Sequence, residues 1–180
     1  MKRLFLIAGL MTAFGLAVLA ASAASANFAG TWSLDKAKSQ GLNPRLQGAD
    51  KVTWTITQDA ATISIDTKVE GGQPPAGGGG GGGGRPPAGP TVYKLDGSEV
   101  TSDVTFGQMT GKQTLKATWN GDALELSRKT TSTGQDGTER TSTNTQKLSL
   151  SGDGKVLTAA VHSEGGRGGP TDSTLVFNKQ

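Results

Sequence analysis

Few side chains in this sequence have the chemistry for catalysis. Cysteine is absent and His162 is the single histidine, so thiol nucleophiles and cysteine metal sites are ruled out. His162 lies two residues from Glu164, and such a pair can in principle move protons. Strand alternation argues against that use. Leu157, Ala159 and Val161 share one face of their segment, which turns His162, with Ala160 and Glu164, to the opposite, solvated face. No carboxylate cluster converges on it to hold a metal, and no serine has it as a base within reach. The expectation is a protein that is not an enzyme and carries no cofactor and no metal.

The arginines are more informative. Leu124 and Leu126 set an inward parity that continues to Arg128 and Thr130, while Leu150 and Leu148 share theirs with Gln146, Asn144, Ser142 and Arg140. With Ser132 opposite Thr138, Arg128 faces Ser142 and Thr130 faces Arg140, with Gln113 across from Arg128. Two guanidinium groups then stand diagonally on an inner face that carries no carboxylate. Unpaired inward arginines are costly unless wet or matched by an anion, and a bound carboxylate satisfies them bidentately. Tyr93 adds an inward hydroxyl, and Trp54 and Leu126 an apolar side. The other reading is that these strands outrun the core and are solvated on both faces. Thr and Ser fill both faces from Ser127 to Thr145, so both readings remain open.

The elements that position these groups are hairpins. Asn120-Gly121 is a favoured turn pair; as a two-residue loop it sets Trp119 against Asp122, Ala117 against Leu124 and Leu115 against Leu126. Asp153-Gly154 sets Leu150 against Leu157 and Leu148 against Ala159. Asp96-Gly97 sets Tyr93 against Val100, and Asp59-Ala60 sets Ile56 against Ile63 and Trp54 against Ile65. A one-residue slip would turn each apolar set to the wrong face, so these agreements fix the parity. Thr, Val, Ile and Trp alternation marks ten strands, predicted over 29–34, 51–58, 61–70, 91–95, 98–106, 112–119, 122–132, 138–150, 155–164 and 173–179. The fold class predicted is all-β, an antiparallel up-and-down barrel of about ten strands, whose closure removes exposed edges. Lys36 to Asp50, with Pro44 and two glycines, reads as a loop with at most a turn of helix. Trp32, Trp54 and Trp119 read as core.

The ends and the loops complete the organisation. Lys2 and Arg3, the apolar run Leu4 to Leu19 and the small residues Ala24-Ser25-Ala26 read as a cleaved secretory leader over 1–26, with 27–180 a single domain. The expected location is the periplasm or outside the cell, without membrane insertion. Net charge is +3, and two of the basic residues belong to the leader. The rest is interspersed, without a Lys/Arg run, so nucleic acid is not an expected partner. Residues 71–90 include eight consecutive glycines, Gly77 to Gly84, between Pro-Pro-Ala-Gly flanks. Such a segment cannot bury enough surface to offset its ordering entropy and reads as one disordered loop. It lacks the Lys-Ser/Thr of a phosphate-binding loop. Gly165 to Pro170 is a shorter loop of the same composition.

The opening Asn27-Phe28-Ala29-Gly30-Thr31-Trp32 resembles the start of the lipocalin and fatty-acid-binding-protein superfamily. There Phe28, Gly30 and Trp32 would form the motif that closes one barrel end. The chain is also similar to small secreted lipocalin-like bacterial proteins, and Thr174 to Gln180 fits their last strand. Lys179 stands where lipocalins place a basic residue over that Trp. The chain lacks the helix–turn–helix lid and the Arg-x-Tyr triplet of fatty-acid-binding proteins. The resemblance implies a lipocalin-like barrel that binds a small hydrophobic or amphiphilic molecule, anionic if Arg128 and Arg140 anchor it. The alternative expectation is an envelope interaction module with a filled barrel and a docking loop at 71–90.

Overall fold

The computed structural model describes residues 26–71, 89–106, 109–134, 137–165 and 169–180. The leader expected over 1–26, apart from Ala26, lies outside the described residues, as do most of the 71–90 loop and the centre of the 165–170 loop.

Ten antiparallel strands form one nearly closed barrel. They are β1 (Gly30–Leu34), β2 (Lys51–Gln58), β3 (Thr62–Glu70), β4 (Thr91–Lys94), β5 (Val100–Phe106), β6 (Met109–Asn120), β7 (Ala123–Thr133), β8 (Glu139–Leu150), β9 (Val156–Glu164) and β10 (Thr171–Lys179). Their order around the wall is β4-β3-β2-β1-β10-β9-β8-β7-β6-β5. β1 pairs β10, Trp32 lying opposite Lys179, so the chain termini close the meander. The seam that stays open falls between β4 and β5.

That seam corrects one predicted hairpin. Tyr93 does not pair with Val100: β4 pairs with β3 and β5 pairs with β6. Leu95 extends the β3 side by donating to the carbonyl of Ala61 (2.8 Å). The turn between is held by Asp96, which accepts from the Ser98 amide, and by Gly97 at φ +80°.

The β2–β3, β6–β7 and β7–β8 registers differ from prediction by two residues, which keeps every side chain on its predicted face. Ala117 pairs Leu126 and Trp119 pairs Leu124, because the turn is Gly121-Asp122 rather than Asn120-Gly121. Gly121 has φ +61° and Asp122 does not have positive φ, as in a type II′ turn with glycine at its first central position. Ile56 pairs Ile65, and Trp54 pairs Thr67. Asp59 moves that turn to Ala60-Ala61 by accepting from the amides of Ala61 and Thr62, both at 2.7 Å. Leu150 does pair Leu157 and Leu148 does pair Ala159.

Between β1 and β2 runs a single-turn helix, α1 (Pro44–Gly48). Asn43 caps it, its side chain accepting from the Leu46 amide at 3.0 Å, and Pro44 loses no hydrogen bond in the first turn. Leu42 and Leu46 lean on the core.

The core fills the lower half of the barrel, at the end where the β2–β3, β6–β7 and β8–β9 turns lie. Phe28, Trp32, Leu124, Leu126, Leu148, Leu157 and Phe177 are wholly buried there. Trp54 lies against Phe177 with ring centroids 4.3 Å apart, and half-buried Trp119 stacks on Phe28 at 6.1 Å. The Trp32 indole N–H donates to the Phe28 carbonyl (2.9 Å), and Lys179 Nζ stands 5.3 Å from the Trp32 ring centre. Gly30 makes that approach possible, since a Cβ there would sit 3.1 Å from Lys179 Cε at φ +143°. Phe28, Gly30, Trp32 and Lys179 therefore lie together where β1 meets β10.

Candidate functional site

β6, β7 and β8 run past the core, and their inner face changes character at one row. Ala117 and Leu126 pair across the lower wall, and the next residue in that row is Gln146, paired to Leu126. Above it stands the row Leu115, Arg128, Asn144 and Ser163. Beyond that come Gln113, Thr130 and Ser142. Alternation still applies, but the inward side chains are now polar.

Their partners are partly internal. Gln146 Nε2 donates to Asn144 Oδ1 (3.0 Å), and Asn144 Nδ2 donates to Ser163 Oγ (2.8 Å). This Gln146–Asn144–Ser163 chain spans β8 and β9 directly beside Arg128. Arg128 itself is half-buried. Among the described residues no carboxylate lies within ion-pair reach of it, and none occupies an inward position on β6 to β9. Tyr93, on β4 across the seam, lies close enough to feel its charge. Burial pushes the Tyr93 hydroxyl above its ordinary pKa, and the Arg128 charge pulls it back.

Tyr93 lies within range of the Arg128 charge, and Gln113, 9 % exposed, lies one row above Arg128. Gln113 pairs Thr130 rather than facing Arg128. Leu126 and Trp54 are buried in the core and form the floor beneath the polar rows. Arg140 is a correction. It is exposed and pairs Ser132, while Arg128 pairs Asn144. The two arginines are thereby four residues apart along β7, roughly 13 Å at the usual strand rise. The diagonal arginine pair does not form, because the β7–β8 turn starts one residue later than predicted, Gly134 donating to the carbonyl of Thr138. Asn144, Gln146 and Ser163 complete the polar layer. Parity places the first two inward from sequence, but their hydrogen bonding across β8 and β9 has no sequence signal.

His162 is on the outer wall, as alternation predicts. Its Nδ1 donates to Asp172 Oδ1 across the β9–β10 ladder (2.7 Å), and its Nε2 stands 4.0 Å from Glu164. The Asp172 bond, then the charges of Asp172 and Glu164, raise its pKa against a smaller desolvation cost. No serine or threonine hydroxyl is hydrogen-bonded to its ring among the described residues. No group of three or more His, Asp or Glu side chains is placed to hold a metal among the described residues, and no helix there is long and apolar enough to cross a membrane.

No protein-family model matches the chain, and searches of the curated proteins and of the solved structures gave no similar protein.

Proposed function

We propose that the barrel binds a small amphiphilic anion in its upper half, carboxylate against Arg128 and apolar body against the floor of Leu126, Leu115 and Trp54. The observation that carries this reading is a half-buried guanidinium on an inner wall that offers it no carboxylate. Such a group favours an anionic partner, which it meets with two parallel hydrogen bonds. Tyr93 and Gln113 supply further polar contacts. The leader reading and the lipocalin resemblance fit this role: a cleaved, periplasmic or secreted carrier that does no chemistry of its own.

Native mass spectrometry of the protein purified without detergent tests it. A discrete adduct lost on organic extraction supports a bound ligand and gives its mass. Apo protein that stays apo after incubation with amphiphilic carboxylates overturns the reading.

One observation favours a second reading. The lower barrel is packed solid around Trp54 and Phe177, and β4 and β5 leave their outer edges unpaired among the described strands. A filled barrel with free edges suits an envelope interaction module, since an extended segment can add to a sheet edge. A partner retained by the apo protein, with no small-molecule adduct, would favour it.

A further inference from the structure

The outer wall also carries a concavity. Across β8, β9 and β10 two outward rows lie side by side: Thr145, His162 and Asp172 in one, Lys147, Ala160 and Thr174 in the other. Ala160 is the short member at the centre, and its missing bulk opens the wall. The second side of the groove is Gln40-Gly41. Gln40 and Thr174 exchange two backbone hydrogen bonds (2.8 and 2.9 Å). Gly41 sits so close to β10 that a Cβ would come within 2.4 Å of the Asp172 carbonyl. The groove measures about 450 Å³, ample for a molecule of a dozen or so heavy atoms.

Its lining is specific in kind. Lys147 is an exposed ammonium with no carboxylate within ion-pair reach among the described residues. The carboxylate of Asp172 is committed through one oxygen to His162, leaving the other to accept. Thr145 and Thr174 add hydroxyls and Gln40 an amide. An exposed ammonium, opposite Glu125 on β7 but outside ion-pair reach of it, a carboxylate oxygen and several two-way groups match a compact molecule with a carboxylate at one end and hydroxyls along its body. No Phe, Tyr or Trp side chain lines the groove, whose apolar part comes from Ala160 and Val161.

We propose that this outer groove is a second binding site, distinct from the barrel interior, for a small hydroxylated carboxylate of the sugar-acid type. Lys147 takes the carboxylate, while Asp172, Thr174 and Gln40 take hydroxyls.

The probe is D-glucuronate, added to the isotopically labelled full chain and followed by two-dimensional NMR. Saturable shifts are expected at millimolar concentrations, confined to the amides of 40–41, 145–147, 160–162 and 172–174. Lys147→Met should weaken binding about tenfold, one charge-assisted contact's worth. Ala160→Leu should abolish it by filling the groove, and Arg128→Met should leave it unchanged. Glucose, which has the hydroxyls without the carboxylate, should bind at least about tenfold more weakly. Absence of saturable shifts at about 20 mM, a weak-binding limit, overturns the proposal. So does a response unchanged by Lys147→Met, or glucose binding equal to glucuronate.

Discussion

The lower and upper halves of this barrel are lined by the same strands with the same alternation, yet their inward side chains differ in chemistry. Below, Leu124, Leu126, Leu148 and Leu157 meet Trp32 and Phe177 with no solvent exposure. Above, Arg128, Asn144 and Gln146 stand on the same faces of β7 and β8, half-buried, two of them hydrogen-bonded to each other. The change takes one step along each strand. It shows that strand alternation fixes only which way a side chain points. Which inward positions are dry depends on how far the neighbouring strands extend: β1 has 5 residues and β4 has 4, whereas β6 and β8 have 12 each. The tall wall rises past the short one, and on β6 to β8 its inward positions above the Leu115–Arg128 row are Gln113, Thr130 and Ser142.

The sharpest way to expose the contrast is to damage the floor. Phe177→Ala removes the partner of Trp54 and should cost about 3–5 kcal/mol of stability, read by chemical denaturation with tryptophan fluorescence. A matched pair of substitutions then compares the halves directly. Leu126→Asn buries an amide without a partner in the floor and should cost about 3 kcal/mol. Ser142→Val, inward in the upper half, should change stability by less than about 0.5 kcal/mol. Equal costs would mean that the two halves form one continuous core. Arg128→Met should shift stability by no more than about 1 kcal/mol in either direction, because it removes an unpaired, half-buried charge while keeping its packing stem.

The smallest effect is on the outer wall. Because the folded pKa of His162 is raised above its ordinary value of 6.5, its pairing with Asp172 stabilises the fold fully below that value. The contribution fades as pH climbs through the raised pKa. Melting temperature measured across that window should fall slightly in the native chain, and His162→Gln should flatten that part of the profile. An unchanged slope in the variant would show that the pair contributes nothing in solution.

Most of the architecture was legible because period-2 patterning is strong in Thr- and Val-rich strands. All ten strands stand near their expected places, and the single helical turn falls at Pro44 within the expected loop. Register was less legible, for a local reason. Turn centres are decided by which side chain caps which amide, as Asp59 does for Ala61 and Thr62, and this moves a hairpin by two residues without disturbing its pattern. The seam beside Tyr93 was not legible either, since Asp96-Gly97 has the composition of a hairpin turn whether or not its strands pair. At the candidate site, parity placed Arg128, Gln113 and Tyr93 inward. It misjudged Arg140, because parity carries no information about height, and Arg140 stands at the exposed rim.

The central proposal is that the upper half binds an amphiphilic anion over the apolar floor. Its most direct test is an equilibrium titration of the purified chain with decanoate and, separately, decanol, repeated with Arg128→Met. The account predicts saturable binding of decanoate, at least about tenfold weaker binding of decanol, and loss of that difference in the variant. Equal affinity for acid and alcohol, or no saturable binding of either, would contradict it.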